Sequence, residues 1–326
     1  MDFNTMCAPV LLIGFNRPDF MAAQIAAVRT AKPARLYVAV DGPRLDRPEE
    51  AVKCRAVREG VKLVDWPCEV KTLFREKNLG CKYGVSGAIT WFFENESEGI
   101  VLEDDCRPSP DFFRFATEML ERYRDDERIG AINGFNFFNL QSDKSVSYHF
   151  SSHMEVWGWA SWRRVWNKYD VEIREYKSRL LEVVEKSKMA RCARRGFINA
   201  VRSVENGLNT WDVQFSLAFL CNGWLSVVPQ VRLIANAGIG DQNATHTGGF
   251  DYHANKFAKV GHIDFPLVHP KDVIADVAAD RRRETMSEGY YARALTWFGS
   301  KFPALRRPIL AWGDFTERYL PFLFNV

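Results

Sequence analysis

The sequence predicts an α/β fold with a mainly parallel central sheet that helices cover on both faces. Between residues 9 and 135, short continuous apolar runs alternate with segments of helical periodicity. Strands that are apolar on both sides belong to parallel sheets buried between helices. The chain has 326 residues, of which 47% are hydrophobic, so it is long enough to bury a sizeable core.

The predicted elements follow one another regularly in the first half of the chain. There, apolar runs and helical periodicity predict strands at residues 10–13, 36–40, 69–74, 99–102 and 129–133, and helices at residues 19–31, 48–63, 85–93 and 110–123. The second half is less regular, with helices predicted at residues 176–186, 190–205 and 212–221. Two short strands are expected around Val227 and Leu233, before a glycine-containing loop.

Composition and charge exclude several classes of protein. The formal net charge is only +3, so nothing indicates a dedicated nucleic-acid binder. The seven cysteines form no CxxC pair, which argues against a disulfide framework and for a reducing compartment. No apolar run approaches the roughly 20 residues that span a bilayer, and residues 1–9 lack the pattern of a signal peptide. We therefore expect a soluble, cytoplasmic protein.

Polar and charged residues follow the predicted strands of the first half. In open α/β sheets, ligands bind beyond the carboxyl ends of the strands. The segments selected by this rule are residues 16–18, 41–43, 75–78 and 103–105.

The most informative of these segments is the acidic cluster, which we define as Glu103, Asp104 and Asp105. Carboxylates crowded beside a core strand raise one another's pKa values. A bound Mn²⁺ or Mg²⁺ relieves this conflict, because hard cations prefer carboxylate and phosphate oxygens. The alternative interpretation is a solvated turn that happens to be acidic.

The acidic cluster resembles the metal-binding DXD-type motif of GT-A fold glycosyltransferases. Residues 101–105, followed by Pro108 and the run Ser-Pro-Asp-Phe-Phe at 109–113, resemble the inverting N-acetylglucosaminyltransferase I family, which reads EDD, a few residues, then PDFF. The pair Trp211-Asp212, which opens a helix, is a further match. The chain also resembles bacterial sugar transferases that share NRP after the first strand, EDD in mid-chain and a late ATHT loop. These resemblances cover about residues 9–250.

The resemblance implies a Rossmann-like fold of GT-A type over residues 1–260. A nucleotide-binding half would span about 9–135 and an acceptor half about 136–260, with a C-terminal helical extension over 261–326. The implied activity is a metal-dependent inverting glycosyltransferase of hexosyltransferase type. Its donor would be a nucleotide-sugar, a UDP-sugar by the family's habit, and its acceptor a glycan or lipid-linked glycan.

The resemblance also implies roles for the acidic cluster and for Asp41. Asp105 would be the direct metal ligand. Glu103 and Asp104 would contact the ribose and base, or support the metal through water. Asp41 would meet the base or ribose, although a buried aspartate at a strand end could instead be a helix N-cap or a turn former.

Four further residues are expected around the nucleotide. Asn16 and Arg17 would lie beside it, by the same resemblance. Lys82, near a helix N-terminus, is placed to meet phosphate, with a solvated lysine as the alternative. His246 would bind the metal or a phosphate oxygen from a loop that closes over the donor, with a structural histidine as the alternative.

Asp212 resembles the catalytic aspartate of the family and would act as the general base on the acceptor hydroxyl. The alternative role is a helix N-terminal aspartate stabilised by the helix dipole. Glu155 is the rival base, since it precedes a tryptophan-rich segment. Trp157, Trp159 and Trp162 of that segment offer flat faces to sugar rings, although a buried core position is the safer interpretation for each.

From Arg281 onward the chain becomes basic and aromatic, with Trp297, Trp312 and the apolar residues 319–324. Such interleaving suits the membrane interface, which would place the protein at the inner face of a membrane. The plainer interpretation is a pair of C-terminal helices docked on the core, or a dimer contact.

Two other functional classes stay open. A metal-dependent nucleotidyltransferase would show a glycine-rich phosphate loop after the first strand, and residues 14–18 are poor in glycine. A non-catalytic nucleotide-sugar-binding protein of the same fold would keep the site without turnover, and Asp105 and Asp212 speak against it weakly.

Overall fold

A computed structural model describes residues 6–137, 145–238 and 259–288, together with Phe302. In chain order its strands are β1 (Val10–Gly14), β2 (Arg35–Val40), β3 (Glu69–Phe74), β4 (Glu98–Glu103), β5 (Cys106–Pro108), β6 (Ile129–Asn133), β7 (Tyr148–Ser151), β8 (Trp159–Trp162), β9 (Leu225–Pro229) and β10 (Ile234–Asn236). The helices are α1 (Pro18–Val28), α2 (Glu50–Glu59), α3 (Ser86–Asn95), α4 (Pro110–Arg122), α5 (Arg163–Trp166), α6 (Leu180–Lys186), α7 (Arg191–Glu205), α8 (Asp212–Asn222) and α9 (Val277–Glu288).

The central sheet has eight strands among the described residues, in the order β3-β2-β1-β4-β8-β6-β9-β7. Strands β3, β2, β1 and β4 are mutually parallel, and so are β6 and β9. The sheet departs from the parallel pattern at β8, which runs antiparallel to both β4 and β6, and at the edge strand β7. The predicted fold class is therefore confirmed: a mixed α/β structure of Rossmann-like type around a mainly parallel sheet.

The parallel strands create the edge at which polar residues gather. Val10 of β1 pairs with Leu36 on one side and Ile100 on the other, so three strands end at the same level. All five residues of β1 are buried, as are the four apolar residues at the centre of β4. Their continuous apolar character is the reason that helices cover both faces of this part of the sheet.

Helix α4 shows how the sequence specifies a helix behind the acidic cluster. Pro110 occupies the first turn, where its missing N–H has no intrahelical partner to lose. Asp111 lies in the first turn and Arg122 in the last, which matches the helix dipole at both ends. One face of the helix is buried and carries an apolar stripe that includes Phe112 and Met119. Helix α4 therefore packs on the sheet a few residues after the acidic cluster, once β5 has ended.

Two tryptophans of the aromatic segment belong to the core. Trp159 is fully buried and Trp162 is 2% exposed, both in β8, so the core interpretation holds for them. Trp159 stacks on Trp211 at a ring distance of 6.0 Å, and Phe215 packs against both. Trp157 is half-buried against Phe135. This aromatic cluster fixes the start of α8 against the sheet.

The described part of the C-terminal segment docks on the second half of the chain. Buried Asp280 of α9 accepts hydrogen bonds from the hydroxyl of Ser151 (2.5 Å) and the backbone N–H of Ser152 (3.0 Å). Glu284 of the same helix lies 2.6 Å from Nε2 of His153. Nearly all of the basic and aromatic residues predicted to meet a membrane lie outside the described residues. None of the helices that are described has the length and apolar character to cross a bilayer.

Candidate active site

A cleft of about 230 Å³ lies at the carboxyl ends of β1, β2 and β4. It is walled by the segments that follow these strands and by the turn before α3. The polar residues that line it are Asn16, Arg17, Asp41, Arg44, Arg75, Asn78, Glu103, Asp104 and Asn209. The strand-end rule therefore selected most of the polar wall, because parallel strands bring their carboxyl ends to one edge.

Arg17 and Asp104 form a two-pronged ion pair across the cleft. The Nε of Arg17 donates to Oδ2 of Asp104 at 3.0 Å, and a second guanidinium nitrogen donates to Oδ1. Both side chains are largely buried, at 18% and 10% exposure. Burial raises the pKa of Asp104 to about 6, although Arg17 acts in the opposite direction. Desolvation thus outweighs the ion pair, so the charged form of Asp104 is less favourable here than in water.

Glu103 and Asp105 show the conflict of like charges that the sequence predicts. Burial raises the pKa of Glu103 well above its usual value, and the neighbouring carboxylates, including Asp212, raise it further. A hydrogen bond from Trp211 opposes this shift. Burial also raises the pKa of Asp105, against the opposing effects of Arg17 and of a hydrogen bond from Asn236. A cation placed here would be stabilised by carboxylates that are costly to keep charged without one.

Glu103 and Asp105 offer carboxylate oxygens of the kind that a divalent cation prefers. Within the described ranges, no three His, Cys, Asp or Glu side chains are arranged to hold a metal. Asp104 is occupied by Arg17, which leaves Asp105 with Glu103 beside it. One or two carboxylates with phosphate oxygens and water is the usual set for Mg²⁺. His246, the other predicted ligand, lies outside the described residues.

Asp41 organises the loops on the β2 side of the cleft. Its carboxylate accepts hydrogen bonds from the backbone N–H groups of Gly42 at 3.0 Å, Leu79 at 2.9 Å and Gly80 at 3.2 Å. Burial nevertheless raises its pKa. The turn-forming interpretation is thus realised in the hydrogen bonds. A contact between Asp41 and a base or ribose stays a prediction, and it is possible because Asp41 lines the cleft.

Asn16 and Lys82 each have a carboxylate partner. The amide of Asn16 donates to Oε1 of Glu50 at 3.2 Å while the residue lines the cleft. The Nζ of Lys82 lies 3.0 Å from Oε2 of Glu172, and the side chain is 14% exposed. Lys82 is not among the lining residues. A phosphate bound at Lys82 would have to displace the carboxylate of Glu172.

The two candidate bases lie in different surroundings. Asp212 is the first residue of α8, and its charge acts on Glu103 and on the thiol of Cys81, which lines the cleft. Glu155 lies in a separate small pocket, where Arg283 of α9 donates to it at 2.6 Å. The structure therefore brings Asp212, and not Glu155, next to the acidic cluster.

Several cleft residues were absent from the predicted site. Arg75 follows β3 and donates from Nη1 to the backbone oxygen of Gly84 at 2.6 Å, and burial lowers its pKa. The strand-end rule already pointed to its segment. Asn209 comes from the segment before α8, far along the sequence, and no sequence pattern marks it. Only the packing of that segment shows that it reaches the site.

Replacing Gly80 with alanine is expected to destabilise the turn before α3. Gly80 has φ +74° and ψ 177°, a conformation that costs other residues about 1–3 kcal/mol. A Cβ there would also lie 2.7 Å from Nδ2 of Asn209, whose Oδ1 accepts the N–H of Lys82 at 2.8 Å. Urea unfolding measures the loss of free energy of unfolding.

The matched control for this change is Gly207→Ala. Gly207 also has a positive φ, +91°, but a Cβ there would meet nothing within 4 Å. The control therefore includes the backbone strain without the collision. Equal destabilisation by the two substitutions would show that the contact between Gly80 and Asn209 is unimportant.

A larger cavity of about 730 Å³ lies elsewhere, along the outer side of α4. Its wall includes Phe113, Arg114, Glu118 and Leu267, and it shares no lining residue with the cleft among the described residues. Volume alone would favour this cavity. The cleft is the better candidate active site because carboxylates with raised pKa values and a buried arginine converge there.

Comparisons with known proteins give no family. No family model matches the chain, and no curated protein matches it. Among solved structures, it is similar to HddC from Yersinia pseudotuberculosis, with a TM-score of 0.31 and 12% identity over 50% of this chain and 80% of that one. It is also similar to a UDP-glucose pyrophosphorylase complexed with UDP-glucose, with a TM-score of 0.32 and 8% identity over 69% and 90% of the two chains. Likenesses this weak assign no residue roles.

Proposed function

We propose that this protein is a metal-dependent inverting glycosyltransferase that moves a sugar from a nucleoside-diphosphate donor, a UDP-sugar in the first instance, to a glycan or lipid-linked acceptor. The observation that carries the proposal is the place of Glu103 in a cleft at the carboxyl ends of three parallel strands, with Asp105 and Asp212 close enough to raise its pKa. This arrangement would combine an acidic cluster that binds a cation with a separate carboxylate that acts as a base.

The acidic cluster would serve the donor. Asp105, supported by Glu103, would hold Mn²⁺ or Mg²⁺, which neutralises the negative charge of a leaving diphosphate. Arg17 holds Asp104 in place through two hydrogen bonds. The polar cleft wall, including Asp41 and Arg75, would bind the nucleotide.

Asp212 would act on the acceptor. An inverting transfer requires a base that removes the proton of the acceptor hydroxyl as its oxygen attacks the anomeric carbon from the face opposite the diphosphate. The carboxylate of Asp212 is half-buried next to Glu103 and is not paired with a cation among the described residues. Glu155, in contrast, forms an ion pair with Arg283.

Thermal stability with nucleotides tests the donor site. The wild-type protein should gain stability with one nucleoside diphosphate in the presence of Mn²⁺. A ligand that binds only the folded state adds about 2.7 kcal/mol at a hundred times its dissociation constant. The Asp105→Ala variant should lose this metal-dependent gain, while Asp65→Ala, at an exposed position outside the cleft, should keep it.

The absence of a shift with every nucleotide tested would contradict the proposed donor site. The reaction product then separates the functional classes. A glycosyltransferase releases the nucleoside diphosphate from a nucleotide-sugar, whereas a nucleotidyltransferase makes or consumes pyrophosphate. A nucleotide-dependent shift without turnover of any donor would indicate a binding protein.

A further inference from the structure

The segment that precedes α8 connects the parts of the candidate active site. Asn209 lines the cleft, and its Oδ1 accepts the N–H of Lys82 at 2.8 Å. Trp211 lies close enough to Glu103 to lower the pKa of its carboxyl group. Thr210 lies between them and donates from its hydroxyl to Oδ1 of Asp212. Consecutive residues thus contact the turn before α3, the acidic cluster and the proposed base.

Thr210 is itself held in place from the inside of the protein. It is only 7% exposed. The Nε2 of Gln214, a fully buried side chain one helical turn further on, donates to the backbone oxygen of Thr210 at 2.6 Å. The stacked rings of Trp211 and Trp159 fix the next residue against the sheet. These contacts fix the position of Thr210, and its hydroxyl is therefore held in place before any ligand binds.

The hydrogen bond distinguishes the two oxygens of Asp212. Oδ1 accepts the hydroxyl of Thr210, whereas no donor in the described part of the chain contacts Oδ2. A carboxylate with one oxygen held has little freedom to rotate, so its other oxygen points in one direction. A general base gains from such orientation, because proton transfer requires the accepting oxygen within hydrogen-bond reach of the hydroxyl.

We propose that Thr210 is a positioning residue that orients the carboxylate of Asp212 toward the acceptor hydroxyl. This inference rests on the proposed function, because it assumes that Asp212 is the base. Thr210 itself touches neither donor nor acceptor in this account. Its contribution should therefore appear in the rate of the chemical step and not in donor binding.

The test compares Thr210→Val with Thr210→Ser. Valine keeps the shape of threonine and removes the hydroxyl, whereas serine keeps the hydroxyl. Turnover is measured as release of nucleoside diphosphate from a panel of UDP-hexoses, with water in place of the acceptor. We expect kcat of Thr210→Val to fall about 10- to 100-fold, the range for a lost hydrogen bond to a charged group. The KM for the donor should not change, and Thr210→Ser should retain most of the activity.

Thr30→Val is the matched control, because it removes a threonine hydroxyl that donates to Ala27 on an exposed surface. A melting temperature measured for each variant separates loss of folding from loss of rate. Unchanged kcat in Thr210→Val, or equal losses in the valine and serine variants, would overturn the inference while leaving the glycosyltransferase proposal intact. Absence of turnover in the wild type with every donor would overturn both.

Discussion

Replacing Asp212 with asparagine is expected to lower kcat by about 100- to 10,000-fold, the contribution of a general base to a reaction of this kind. Asparagine keeps the size of the side chain but cannot accept a proton from the acceptor hydroxyl. The metal-dependent stabilisation by a nucleoside diphosphate should survive, because the substitution leaves the proposed metal ligands Glu103 and Asp105 in place. Steady-state kinetics and thermal unfolding of the same preparation measure the two quantities.

The rival base supplies the control for this prediction. Glu155→Gln removes a carboxylate whose partner is Arg283, in a pocket separate from the cleft. We expect it to lower stability, because it breaks a largely buried ion pair, and to leave kcat close to the wild-type value. A large loss of kcat in Glu155→Gln, with normal activity in Asp212→Asn, would reverse the assignment of the base.

Replacing Arg17 with methionine is expected to destabilise the protein by about 1–3 kcal/mol at neutral pH, because the buried carboxyl group of Asp104 loses its hydrogen-bond partner and must stay charged alone or take up a proton. The sign of the pH dependence follows from the pKa of Asp104, which is raised to about 6 in the folded protein. When a carboxyl group has a raised pKa in the folded state, the free energy of unfolding falls as the pH rises through that pKa. The difference from the wild type should therefore be smaller at pH 5 than at pH 8.

Two further variants control for the loss of the arginine itself. Arg29→Met breaks an exposed ion pair with Asp65 and should cost no more than about 1 kcal/mol. Adding Asp104→Asn to Arg17→Met should restore much of the lost stability, because the unpaired charge is then absent. Urea unfolding at the two pH values measures all these differences. A cost for Arg17→Met as small as that for Arg29→Met would show that Asp104 is not held in an unfavourable environment.

The parallel strands of the first half could be predicted with small errors at the ends. The predicted strand at residues 69–74 matches β3, and residues 129–133 match β6. The helix predicted at residues 85–93 begins at Ser86 and runs to Asn95, and a π-helical turn at Cys81–Val85 precedes it. Strands β7 and β8 were missed, because a short run rich in aromatic residues has no periodicity that separates a strand from a loop.

The position of the acidic cluster could be predicted from the sequence because one local rule determines it: a carboxylate that follows a buried parallel strand must lie at the ligand-binding edge. The partners that side chains find across the fold could not be predicted. Whether Lys82 faces a phosphate or Glu172, and whether Asp41 faces a ribose or the backbone of residues 79 and 80, depends on which loops pack against each other.

The sequence by itself thus determined the α/β class, the parallel strands of the first half and the place of the acidic cluster, since apolar periodicity and strand ends are local properties. The tertiary structure alone decided that β8 inserts antiparallel between β4 and β6, and that Arg17 pairs with Asp104. It also decided that Thr210 and Trp211 carry Asp212 to the acidic cluster from more than a hundred residues away. Such contacts follow from the shapes and charges of surfaces that meet only in the folded chain, and no local pattern encodes them.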